Sequence, residues 1–253
     1  MSPLEKFRQK KTANIQAQGA DQGLKDLALA FMRETGKYDY TYNFSWMGIP
    51  VIQFPQDLFA VAEIIFETRP DFIIETGIAH GGGLVFYASM LELLGSAGRV
   101  IGVDIALRDH NRTAIQNHPM AHRIELVDGS SIARDVFEKV SKLVGESQRV
   151  LVILDSDHTH EHVLRELELY SPLVHAGGYV VVFDTTIEDQ PAGFFGDRPW
   201  TKNSNPKTAV REFLRRNDRF QVDNDIEAKL LITVAREGFL RCVKDPSPAK
   251  AAS

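Results

Sequence analysis

The chain has a single cysteine in 253 residues, Cys242. That excludes an internal disulfide framework and any zinc site built from several thiolates. Basic charge is not in excess either. Lys and Arg number 29 against 34 Asp and Glu, a formal net charge of −5. A chain devoted to nucleic acid or to an anionic membrane surface carries the opposite balance. No apolar run reaches the ~20 residues of a membrane-crossing helix. The opening MSPLEKFRQKKT is followed by none of the apolar stretch that a secretory signal needs. These absences point to a cytoplasmic protein without nucleic-acid binding or membrane insertion. What remains, 43% apolar and 25% charged residues, is enough to bury a sizeable core.

Three stretches follow from the pattern. Residues 1–50 read as an N-terminal extension, a cap or an oligomer contact. It holds one helix with apolar positions Leu24, Leu27, Ala28 and Phe31, then the aromatic segment YDYTYNFSWMGIP. Residues 51–244 alternate short apolar runs with amphipathic segments of helical length, after a helix entered at Pro55 and closed before Pro70. Val150–Leu154 and Tyr179–Phe183 lack polar alternation, as strands buried on both faces do. The class is α/β, a doubly wound parallel sheet. Phe220–Val222 and Leu230–Ala235 are two further candidate strands, and residues 245–253 read as a disordered tail.

In such a sheet, ligands bind beyond the carboxyl ends of the strands. The first strand ends in Glu75-Thr76-Gly77-Ile78-Ala79-His80-Gly81-Gly82-Gly83 and runs into a helix. Glycines there allow a tight turn and close approach of a ligand to backbone N–H groups. The spacing is not GxGxxG, which disfavours a dinucleotide. Asp104 ends the second strand, where a carboxylate can accept both ribose hydroxyls of an adenosine-containing cofactor. Asp128-Gly129-Ser130 ends the third, within reach of the adenine edge. The plainer alternative is that these are solvated turn aspartates. His80 either touches a ligand or caps its turn.

Strands four and five end in Leu154-Asp155-Ser156-Asp157-His158 and Phe183-Asp184-Thr185-Thr186. As neighbours ~4.8 Å apart, they would let Asp155 and Asp184 share one divalent cation. Oxygen donors suit Mg²⁺ or Mn²⁺, and Thr185 offers a weak or water-mediated third ligand. Asp157 is placed to remove a proton from a hydroxyl. His158 lines the same site, while His160 and His162 read as surface residues at a helix start. The long loop 187–206 either walls a substrate pocket with Phe194, Phe195 and Trp200, helped by Tyr42, Phe44 and Trp46, or packs on the protein's own surface.

FPQDLFAVAEIIFETRPDFIIETGIAHGGG, LDSDHTHEHVLRELELYSPLVHAGGYVVVFDT and GFLRCV resemble the cephalosporin hydroxylase family, related to rhamnosyl O-methyltransferases. The resemblance implies a class I S-adenosylmethionine-dependent methyltransferase over residues 51–244. Its Rossmann-like sheet would have seven strands in the order 3-2-1-4-5-7-6, strand seven antiparallel, with helices on both faces. It implies S-adenosylmethionine contacts at Glu75, Gly77, Gly81, Asp104 and Asp128, with His80, Gly82 and Ser130 in the same loops. It implies metal ligands Asp155 and Asp184, with Thr185 a departure from the usual acid or amide, and Asp157 as base beside His158. The expected activity is metal-assisted O-methylation of a sugar or other small oxygenated molecule by a homo-oligomer. Two rivals remain: a redox enzyme (a hydroxylase or an NAD-dependent dehydrogenase), and a catalytically silent S-adenosylmethionine-binding protein.

Overall fold

The computed structural model describes residues 1–246; the expected disordered tail falls largely outside the described residues. At the N-terminus, helix α1 (Pro3–Ala20) opens with a capping box between Ser2 and Glu5. Where one helix was expected there are two. Asp21 is extended, ends α1, and accepts the Leu24 N–H to begin α2 (Gln22–Gly36). A side chain that caps a following turn competes with continuing the preceding one. The Gln18 amide ties α1 to the carbonyls of Ala228 and Lys229, at 2.8 and 3.0 Å.

The aromatic segment forms a hairpin of β1 (Phe44–Trp46) and β2 (Ile49–Val51). Its two-residue turn places Met47 and Gly48 at positive φ, as hairpins with right-handed twist require. Trp46 donates its Nε1–H to Ser89 Oγ at 2.9 Å and meets Phe86 edge-on, so this segment packs on the core. Helix α3 (Pro55–Thr68) follows.

The main sheet contains β3 (Phe72–Thr76), β4 (Arg99–Asp104), β5 (Ile124–Asp128), β6 (Val150–Leu154), β7 (Tyr179–Val182), β8 (Phe220–Val222) and β9 (Phe239–Cys242). Their order is β5-β4-β3-β6-β7-β9-β8, and only β9 runs antiparallel to its neighbours. This is the expected 3-2-1-4-5-7-6 arrangement. Alternate residues of the strands feed two cores. Ile73, Ile153 and Val181 pack under α3 and α4 (Gly82–Leu93). Ile74, Val152 and Val182 pack under α6 (Arg134–Val144), α7 (His160–Tyr170) and α8 (Pro206–Arg216). A short α5 (Asp109–Gln116) follows β4.

Leu230–Ala235 is not a strand. It leaves α9 (Asn224–Leu230) through Leu231 at φ 60° and becomes a strap held by side chains. Asp57 accepts the Thr233 hydroxyl and the Val234 N–H, while the Val234 carbonyl accepts Thr185 Oγ1 at 3.1 Å and the Thr186 N–H at 3.0 Å. Buried Val234 and Ala235 account for the apolar pattern.

Candidate active site

The strand order reverses between β3 and β6, so the loops after these strands flank the switch point where ligands bind. They touch. Gly77 sits at φ +83°, and a Cβ on it would lie 2.2 Å from the Asp155 carbonyl oxygen. Only glycine satisfies both demands. The Gly82 position has a different cause from the one expected: its bare α-carbon faces the Pro50 backbone, where a Cβ would meet the carbonyl oxygen at 2.2 Å. The hairpin is thereby pressed against the start of α4.

Asp104 accepts the Ile78 N–H at 2.9 Å and the Ala106 N–H at 2.8 Å, which shapes the glycine loop. Glu75 is turned beneath α4 and accepts the Tyr87 hydroxyl at 2.8 Å. Burial, against the Tyr87 bond and with help from Asp104, pushes its pKa up to about 8. It supports the loop from below. Gly81 begins α4 in the left-handed region. His80 Nδ1 lies 3.3 Å from Asn111 Oδ1, and Asn111 in turn holds the Ala79 carbonyl. Asp128 is exposed and paired with Arg112, and Ser130 starts the next turn.

Leu154 and Val182 are register partners in parallel β6 and β7. The following residues therefore bring ligand atoms of Asp155, His158 and Asp184 within 4.8 Å of one another. His158 Nε2 is 3.1 Å from Asp184 Oδ2. Burial and then the Asp184 charge hold the Asp155 carboxyl well above its ordinary pKa. Converging acceptors that repel each other fit a divalent cation, whose charge would relieve them. Thr185 does not join them. It is fully buried, and its hydroxyl donates to Val234 because Asp184, at φ 56°, turns the chain into a 3₁₀ helix. His158 Nε2, not Thr185, lies beside the two carboxylates.

Asp157 lies outside this cluster and accepts the Thr159 N–H at 2.8 Å. Burial raises its pKa, but the Thr159 bonds and nearby His162 and His158 bring it below the ordinary value. The other histidines are not free surface residues. His160 joins α7 to α8 through Thr208 and Glu212, and His162 meets Ser131, Ser156 and buried Glu166. Of the six aromatics considered for a pocket wall, Trp200 reaches the site, edge-on to His158 with ring centroids 4.8 Å apart. Phe194 and Phe195 meet each other edge to face. Gln53 drew no attention in the sequence, yet its Nε2 donates to Asp155 Oδ2 at 3.2 Å.

Sheet order, glycine loop and paired strand-end acids define a Rossmann-like methyltransferase fold. Among solved structures, CmcI without ligand superposes with a TM-score of 0.60 at 20% identity, over 81% of this chain and 78% of that one. CmcI with Mg and S-adenosylmethionine gives 0.58 at 19% identity, over 80% and 77%. A rhamnosyl O-methyltransferase of Mycobacterium leprae is 32% identical over 198 residues, 78% of this chain and 82% of that protein. The chain belongs to the rhamnosyl O-methyltransferase/CmcI family, whose model matches residues 38–243.

Proposed function

We propose that this protein is an S-adenosylmethionine-dependent O-methyltransferase that methylates a sugar hydroxyl with the help of Mg²⁺ or Mn²⁺. The observation that carries the reading is the convergence of Asp155, Asp184 and His158 beside the Gly77 loop. Family membership and the relatives named for rhamnosyl O-methylation support the donor and the acceptor class. CmcI, solved with Mg and S-adenosylmethionine, supports the cofactor pair.

The glycine loop and the first turn of α4 would hold the donor, with Asp104, Asp128 and Ser130 at the ribose and adenine end. Asp155 and Asp184 are the hard-oxygen donors that Mg²⁺ takes. When bound, the cation supplies positive charge that orients neighbouring hydroxyls and favours loss of a hydroxyl proton. The acceptor oxygen forms a bond to the methyl carbon as the carbon–sulfur bond breaks, and S-adenosylhomocysteine leaves. Holding the two in line is the main task of the site. Of the two candidates for taking the proton, His158 has the better placement: it stands beside the two carboxylate ligands, with Nε2 3.1 Å from Asp184 Oδ2, and takes the proton as a neighbour of the cation rather than as its ligand. Asp157 is committed to the Thr159 cap. Trp200 stands edge-on against His158 at the same site.

Exposed Leu4, Phe7, Leu27 and Phe31 on α1 and α2 support the expected self-association; a monomer in sedimentation would remove that part. The test of function is transfer of labelled methyl from S-adenosylmethionine to a panel of rhamnosides and other deoxysugars, with Mg²⁺ or with chelator. Metal-dependent incorporation is expected. Donor binding with no transfer to any polyhydroxylated acceptor would leave a silent binding protein. His158→Ala should lower kcat by ~10²–10⁴ at unchanged donor affinity, and Asp157→Asn far less.

A further inference from the structure

The segment Gln53-Phe54-Pro55-Gln56-Asp57 runs from the end of the hairpin into the first turn of α3. Gln53 is only 6% exposed. Its Nε2 reaches Asp155 Oδ2, across 102 residues of sequence, and its Oε1 is buried without a hydrogen-bond partner. An unpartnered buried amide oxygen is destabilising, so its retention needs a reason. At the other end of the segment, Asp57 holds Val234, whose carbonyl takes Thr185 and Thr186 directly after Asp184. One short stretch thus touches Asp155 directly and fixes the turn that carries Asp184.

We propose that Gln53 is a positioning residue of the cation site: its amide N–H sets the orientation of Asp155. The inference rests on the reading of Asp155 and Asp184 as cation ligands. Carboxylates that hold metals are themselves hydrogen-bonded, and loss of such a partner lowers metal affinity ~10–100-fold. A purely structural role for Gln53 would lower stability and leave metal affinity unchanged.

The test is Gln53→Met, which keeps chain length and packing and removes the amide. Mn²⁺ binding is followed by electron paramagnetic resonance, S-adenosylmethionine binding by calorimetry, and folding by thermal denaturation. We expect Mn²⁺ to bind ~10–100-fold more weakly, with donor affinity unchanged. Gln53→Asn, which withdraws the amide by one methylene, serves if the Met variant does not fold, and the same weakening is expected. Wild-type Mn²⁺ affinity in a folded Gln53 variant, while Asp155→Ala loses it, overturns this inference alone. Mn²⁺ binding that survives in Asp155→Ala, or is absent from the wild type, overturns the cation reading itself and this inference with it.

Discussion

Gly77→Ala tests whether the two loops at the switch point are mutually dependent. Two costs add. A residue with a Cβ at φ +83° carries about 1 kcal/mol of backbone strain relative to glycine. The new methyl would lie 2.2 Å from the Asp155 carbonyl oxygen and 2.7 Å from the Ser156 Cα, both backbone atoms that cannot rotate away. Relieving such overpacking costs ~1–3 kcal/mol. The sum is ~2–4 kcal/mol, and at ~2–4 °C per kcal/mol for a chain of this size the melting temperature should fall by roughly 5–15 °C. Gly95→Ala is the control, because Gly95 also has positive φ, +61°, but its Cβ would meet nothing within 4 Å. It should fall by only the strain share. Since the clash displaces Asp155, Gly77→Ala should weaken both donor and cation binding in calorimetry. Equal melting temperatures for the two variants, with binding unchanged in Gly77→Ala, would refute the argument.

Asp57 is fully buried, and burial lifts its pKa from 3.8 to about 7 against the Thr233 and Val234 bonds. A folded-state pKa above the unfolded one means stability is greatest below pH ~4 and is lost as pH rises through about 7. The shift amounts to roughly 4 kcal/mol at 1.36 per unit. Asp57→Asn should therefore gain on the wild type in thermal denaturation between pH 5 and 8; parallel curves would count against it. Asp155→Asn removes a carboxylate disfavoured by burial and by Asp184, so the metal-free variant should melt no lower than the wild type. Mg²⁺ at ~100 times its Kd should raise the wild-type melting temperature by ~5–10 °C and leave Asp155→Asn unmoved.

Much of this architecture was legible in residue pattern. Continuous apolar runs such as Val150–Leu154 identify strands buried on both faces, and carboxylates at their ends mark the candidate site. What escaped was set by contacts between distant residues. Nothing local distinguishes Leu230–Ala235 from a strand, because its conformation is imposed by Asp57, 176 residues away from Thr233. Thr185 sits beside Asp184 in sequence, yet the left-handed Asp184 turns it toward Val234. Gln53 carries no periodic or spacing signal; its importance arises only when the hairpin docks on α4 at Gly82. His158 lies with Asp155 and Asp184 through a turn that the sequence pattern does not specify.

One site should bind S-adenosylmethionine beside a cation held by Asp155 and Asp184. Calorimetric titration with S-adenosylmethionine, with NAD as control and with Mg²⁺ added separately, tests it directly in the wild type and in Asp155→Ala. Donor binding is expected in both proteins, with no NAD binding and a Mg²⁺ signal that Asp155→Ala loses. Folded wild-type protein that binds no S-adenosylmethionine would contradict it.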